Sequence, residues 1–400
     1  MNQGDTEILK GLVAQRHRIC AIEESDTVVI NSCAVLGFTE RKILKKIMEF
    51  RAQGKKVLVA GCLSAYAPEK VIEAGADSII TPHELSLVNH RLDSSEIIEN
   101  REKTRNEYPK IRYEGSSIAI IPIAEGCLGR CSYCATRLAR GRLRSFPQET
   151  IVSEVSEAIA QGYREIQLTA QDTGVYGYGG RDRLPQLLHK VVNLDGDFRV
   201  RVGMMNPTFV LKILDELVEI YKNRKIYKFL HLPVQSGDNT VLKHMRRGYS
   251  VEDFREIVRT FRDNFRRFSI STDIIAGYPV ENSASFEATL NMIEEIKPEI
   301  INITRFSPRE GTEAADLEDI HDYIKKERSR RLSEMMKRIG YENNKRFIGK
   351  RLKVLITKPG KNNTLLARSD FYNLVVVKEG KIGEFREITV KTAKSTYMIA

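Results

Sequence analysis

The chain has 400 residues, 42% of them hydrophobic, which is enough for two or three packed domains and excludes a disordered protein. A formal charge of +11 at pH 7 favours a polyanionic partner, nucleic acid ahead of membrane. Six cysteines, with no signal peptide and no long apolar span, fit a cytoplasmic protein that uses thiols as metal ligands rather than as disulfides.

From residue 5 to about 95, helical patterns alternate with short apolar strands, notably Thr27-Val28-Val29-Ile30-Asn31 and Lys56-Val57-Leu58-Val59-Ala60. That alternation predicts a small, mostly parallel sheet wrapped by helices. Cys33 follows the first strand and Cys62 the second, which sets both at the carboxyl edge where open α/β sheets bind ligands. A plainer reading stays open, since free cysteine is commonly just buried. Residues 95–112, rich in Glu, Lys and Arg, read as a polar linker.

A second unit begins with a buried strand over 117–123, followed by strands near 164–169, 198–202, 226–232, 268–274 and 300–304 with helical segments between them. Six strand-helix units predict a parallel, partly closed barrel with its active site at the carboxyl ends of the strands. There the first strand delivers Cys127-Leu128-Gly129-Arg130-Cys131-Ser132-Tyr133-Cys134, a C-x3-C-x2-C loop. Three thiolates hold three irons of a 4Fe-4S cube and leave the fourth iron open to a small molecule. The competing zinc reading lacks the usual fourth ligand, because the nearest histidine, His90, is far upstream.

A charged helix is predicted over about 320–345, with Lys325-Lys326-Glu327-Arg328 and Arg330-Arg331. Beyond it, β-rich runs at 352–357, 373–377 and 388–391 are punctuated by Pro359-Gly360, Asn362-Asn363 and Glu379-Gly380, which predicts a small antiparallel barrel. Residues 341–400 hold thirteen Lys and Arg against five Asp and Glu, so this segment carries +8 of the total +11. Charge concentrated in one small barrel points to an RNA-binding module. The expected domains are 1–105, 113–340 and 341–400.

The cysteine loop and its sequel, Ala124-Glu125-Gly126-Cys127 through Ala139-Arg140-Gly141 and Ser145-Phe146-Pro147, resemble the methylthiotransferase family of radical S-adenosylmethionine (SAM) enzymes. Four further stretches extend the resemblance: Asn31-Ser32-Cys33-Ala34-Val35, Ala60-Gly61-Cys62-Leu63, His231-Leu232-Pro233-Val234-Gln235-Ser236-Gly237, and Ser271-Thr272-Asp273-Ile274-Ile275-Ala276-Gly277-Tyr278-Pro279. It implies an amino-terminal domain with an auxiliary 4Fe-4S cluster, a central radical SAM (β/α)6 barrel and a carboxyl-terminal RNA-binding TRAM barrel. Ala139-Arg140-Gly141 and Thr169-Ala170-Gln171-Asp172-Thr173-Gly174-Val175-Tyr176-Gly177 are most similar to the archaeal and eukaryotic branch. That branch acts on N6-threonylcarbamoyladenosine at position 37 of tRNA. The alternatives are the branch modifying isopentenyladenosine at the same position, the branch modifying a ribosomal-protein aspartate, and a non-catalytic RNA-binding relative.

The resemblance implies that Cys127, Cys131 and Cys134 hold the cluster that binds and cleaves SAM, and that a second SAM supplies the methyl group. It places Tyr133 near the adenine, or else packing the loop, and Thr169 and Gln171 near the SAM amino group. Gln235 and Asp273 are candidates for contact with SAM or the target base, or for satisfying buried strand ends. His231 reads as a core histidine, and the Gly174 to Gly180 loop as a turn or a nucleic-acid contact. Arg140, Arg142 and Arg144 are candidates for tRNA phosphates, or a solvated face. Cys33 and Cys62 fall on the auxiliary cluster. Its third cysteine is expected ahead of Met1, in a motif of which only the end is present, together with a first strand; a late start or a truncation is the expected reason, with Cys20 a less favoured substitute. Implied partners are the tRNA anticodon loop, an electron donor such as ferredoxin or flavodoxin, and a sulfur donor.

Overall fold

The structure is a computed structural model that describes residues 2–93 and 105–400. After a helix, Asn2–Val13, three parallel strands, Thr27–Ser32, Lys56–Gly61 and Ser78–Ile80, form a sheet in that order. Lys56–Gly61 is the central strand and is buried along nearly its whole length, as its unbroken apolar run requires. One side of the sheet packs on Ile8, Leu9 and Leu12 of the first helix, the other on Ile43 and Ile47 of the helix Gly37–Ala52.

Six parallel strands follow: Ile118–Pro122, Glu165–Thr169, Arg199–Val202, Phe229–His231, Ser269–Ala276 and Ile300–Arg305. They pair in two groups of three, joined by a parallel bridge between Val200 and Ile226, and so curve into an open barrel. Side chains alternate across each strand. Ile166, Leu168, Val200, Val202, Leu230 and Ile274 pack outward against the helices. Glu165, Gln167, Arg201, His231, Asp273 and Asn302 have the opposite parity, so the concave face is polar. The register places Asp273 directly beside Asn302.

The helix Asp322–Lys345 leads into the last sheet, built from Arg351–Pro359, Leu365–Ser369, Leu374–Val377, Phe385–Thr389, Thr392–Ala393 and Met398–Ile399. Its pairs are antiparallel except for Leu374–Val377 with Met398–Ile399, and it curls around Val354, Ile356, Val375 and Met398. The sequence reading missed Leu365–Ser369 and the two short final strands.

This sheet closes the amino-terminal mouth of the barrel. Ser117 donates its N–H to the carbonyl of Thr357 at 2.8 Å, Lys228 donates to that of Asp370 at 2.8 Å, and Arg199 Nε donates to the Asp370 carboxylate at 2.9 Å. Tyr372 is inserted between Tyr227 and Phe229, and its hydroxyl meets Glu165 at 3.1 Å and Gln167 at 3.2 Å.

The stretch expected to be a polar linker is, where described, docked. Arg105 pairs with buried Asp5 and Glu125, while Arg112 pairs with Glu7 and Glu154. Charge pattern alone does not distinguish a solvated run from one whose partners come from elsewhere in the chain. The rest of the expected linker, 95–104, lies outside the described residues.

Candidate active site

The cysteine loop leaves the carboxyl end of Ile118–Pro122, on the barrel face opposite the carboxyl-terminal sheet. Two glycines permit its course. Gly126 has φ +73°, and a Cβ there would stand 1.9 Å from the carbonyl oxygen of Arg142. A Cβ on Gly129 would meet the sulfurs of Cys127 and Cys131 at 3.3 and 3.7 Å, so the residue leaves open the space between two thiols.

Each sulfur has a donor. The Gly129 N–H points at Cys127 Sγ at 3.2 Å, Arg247 Nη1 lies 3.2 Å from Cys131 Sγ, and the N–H groups of Thr136 and Arg137 face Cys134. Burial, helped by the Asp172 charge, pushes the Cys127 thiol up to about 12, and burial also raises Cys134. Free thiols at Cys127 and Cys134 are therefore held protonated, and metal binding must supply the energy that deprotonates them. Among the described residues no three His, Cys, Asp or Glu side chains converge tightly enough to hold a single metal ion. A cube of four irons takes its thiolates further apart, and three sulfurs, each with a donor, suit it.

Tyr133 is half-buried against the edge of Tyr278, with ring centroids 6.4 Å apart, and its hydroxyl is 3.5 Å from Arg247. Thr169 ends the second barrel strand and its carbonyl accepts from Ile123 at 2.9 Å. Gln171 follows with its side-chain oxygen buried and unpartnered. Beside it, Asp172 accepts from the N–H groups of Gly174 and Asn206 at 3.0 and 3.2 Å, while its second oxygen has no partner. Burial raises this carboxyl to about 6. Gln235 lies in the left-handed region at φ +74° and bridges Ile274 through its backbone. Asp273 is bound by His231 at 3.1 Å and by Asn302 at 2.7 Å. Burial works to raise Asp273, but the His231 contact, with Asn302 and Arg247, brings it below its ordinary value. His231 is therefore no apolar-core residue: strand alternation turns it to the polar face.

Cys33 and Cys62 follow adjacent paired strands and lie close enough for the charge of one to act on the other. Cys20 sits between the first helix and the turn Ile22–Glu24, partly exposed. Arg140, expected as a phosphate contact or solvated charge, is 1% exposed. It pairs with Asp5, and its Nε lies 3.1 Å from Cys62 Sγ. Arg144 remains half-exposed. The Gly174 to Gly180 stretch begins as a buried turn, Thr173–Val175, and becomes exposed by Gly179.

Arg247 and Asp172 carried no signal of their own in the sequence. Arg247 stands beside Arg246 in the sequence, and Asp172 appears only within the Thr169 to Gly177 stretch.

Family models match the chain in three places: the Radical SAM superfamily over residues 121–293, Uncharacterized protein family UPF0004 over 1–81 and the TRAM domain over 345–400. The chain is 48% identical to the probable threonylcarbamoyladenosine tRNA methylthiotransferase of Archaeoglobus fulgidus, covering 100% of this chain and 95% of that one. It belongs to the threonylcarbamoyladenosine tRNA methylthiotransferase family. The Pyrococcus horikoshii relative of that name is 44% identical, over 100% of this chain and 96% of that one. The Homo sapiens relative is 32% identical, over 99% and 71%. Among solved structures, the radical SAM methyltransferase TsrM from Kitasatospora setae matches with a TM-score of 0.55 at 17% identity, covering 78% of this chain and 66% of that one. At that identity the likeness concerns the fold. Membership brings an iron-sulfur cluster and SAM to the barrel. Among the described residues no helix is long and apolar enough to cross a membrane.

Proposed function

We propose that this chain transfers a methylthio group to C2 of N6-threonylcarbamoyladenosine at position 37 of tRNA. The observation that carries the reading is the cysteine loop at the carboxyl mouth of the barrel, each sulfur supplied with a donor, in a chain 48% identical to a relative of that name. Cys127, Cys131 and Cys134 hold the 4Fe-4S cluster, which when bound supplies reductive cleavage of SAM. Tyr133 packs beside the ligand space, Thr169 and Gln171 offer backbone and amide groups to the SAM amino group, and Gln235 and Asp273 position SAM or the base. The buried, unpartnered oxygens of Gln171 and Asp172 support this use, because such acceptors gain most from a ligand's donor.

A second 4Fe-4S cluster is assigned to the edge bearing Cys33 and Cys62, which supply two of its three expected thiolates, and it serves sulfur insertion. The sulfur comes from or through that cluster, with a sulfur donor as partner, and electrons come from a donor such as ferredoxin or flavodoxin in the cytoplasm. The segment 341–400 binds tRNA phosphates, with functional boundaries at 1–105, 113–340 and 341–400. The test is anaerobic reconstitution with iron and sulfide, followed by incubation with SAM, a reductant and tRNA bearing threonylcarbamoyladenosine. Mass spectrometry of the nucleosides should show the methylthio product. SAM cleavage with no product in a protein holding both clusters would overturn the substrate assignment.

A further inference from the structure

Arg247 is a buried cation, 6% exposed, with no carboxylate at ion-pair distance among the described residues. Three of its contacts are neutral oxygens: Nε donates to the Tyr249 hydroxyl at 3.0 Å, Nη2 to the Pro233 carbonyl at 2.9 Å, and Nη1 faces the Tyr133 hydroxyl at 3.5 Å. The remaining close partner is Cys131 Sγ, 3.2 Å from Nη1. Asp172 and Asp273 sense the charge only through space. An arginine is not deprotonated in a protein, and burying one without a counter-anion is costly. The fork is also held from three sides, so its aim at the sulfur is built in.

We propose that Arg247 sets the reduction potential of the cluster held by Cys127, Cys131 and Cys134, acting as a positioning and charge-compensating residue at Cys131. The proposal rests on the assignment of those cysteines. A reduced cluster carries one more negative charge than the oxidised one, so a fixed cation and a hydrogen bond at a ligand sulfur favour the reduced form. The electron comes from an external one-electron donor and remains on the cluster; no bond changes in this step. Tyr249 belongs to the same device, because its hydroxyl accepts from Nε and itself donates to the Val234 carbonyl at 2.7 Å, fixing the guanidinium against the strand end.

The experiment is a potentiometric titration without SAM, read by electron paramagnetic resonance of the reduced cluster, on reconstituted wild type, Arg247→Gln, Arg247→Lys and Tyr249→Phe. Arg247→Gln should lower the reduced fraction at fixed potential at least tenfold, a downward shift of about 59 mV or more for a one-electron couple. Arg247→Lys, which keeps the charge, should recover at least half of it. Should Arg247→Gln fail to retain iron, Tyr249→Phe decides: a lower midpoint than wild type supports the proposal. Unchanged midpoints with full iron content overturn it, and weakened SAM binding beside an unchanged midpoint would make Arg247 a ligand clamp instead. A wild type that takes up no iron through the three cysteines is a separate result, refuting the cluster assignment itself.

Discussion

Nε of Arg140 lies 3.1 Å from Sγ of Cys62, so the six-residue helix Ala135–Arg140, capped by Cys134, ends on a thiol of the other layer. The turn that leaves the cysteine loop thus also ties the amino-terminal sheet to the barrel, with Asp5 as the shared anion of Arg140 and Arg105. Replacing Arg140 by Met should cost about 3 to 5 kcal/mol, as breaking a buried ion pair does. Urea unfolding measures it. Unchanged stability with weakened tRNA binding would instead return Arg140 to a phosphate-contacting role.

Alanine at Cys127, Cys131 or Cys134 should abolish SAM cleavage in anaerobically reconstituted protein, because a cluster lacking one thiolate is unstable and misplaced. The readout is 5′-deoxyadenosine by liquid chromatography. Cleavage at the wild-type rate in all three variants would sink the ligand assignment.

The Tyr372 side chain is 6% exposed and sits in the amino-terminal mouth of the barrel. Tyr372→Ala should lose about 3 to 5 kcal/mol of stability, comparable with other large aromatic truncations, and Tyr372→Phe much less. Deleting the carboxyl-terminal sheet would therefore confound RNA binding with damage to the barrel base.

A cleaner probe of tRNA binding is Gln at the exposed Lys361, Lys378 and Lys391, which lie outside that contact. If these lysines meet phosphates, the slope of log affinity against log salt should flatten by roughly 0.7 to 0.9 for each. An unchanged slope, measured by filter binding, would move the RNA surface to the helix Asp322–Lys345.

Burial raises Glu7 from 4.5 to about 7 despite Arg112 and Lys110 beside it, with Glu154 adding to the rise. Folding then takes up a proton, so this contribution is full below pH 4.5 and is lost as pH rises through 7. Glu7→Gln should remove a decline on the order of 3 kcal/mol between pH 4.5 and 8 relative to wild type. Parallel pH profiles for the two proteins would refute it.

Much of this molecule was legible in one dimension because its signals are local. Alternating apolar positions marked strands, the C-x3-C-x2-C spacing marked a cluster loop, and thirteen basic residues marked the last segment. Family motifs then set these in order. Tertiary structure decided what each charge meets. Arg140 read as a phosphate contact or a solvated charge, and Arg247 drew no reading, because pattern records polarity and not partners, yet folding buries both against thiols. His231 read as core because its neighbours are apolar, yet strand alternation turns it toward Asp273. Arg105, Lys110 and Arg112 read as linker and are anchored by acids far away in sequence. Desolvation and pairing are long-range properties of the packed chain; periodicity, spacing and composition are carried by neighbouring residues.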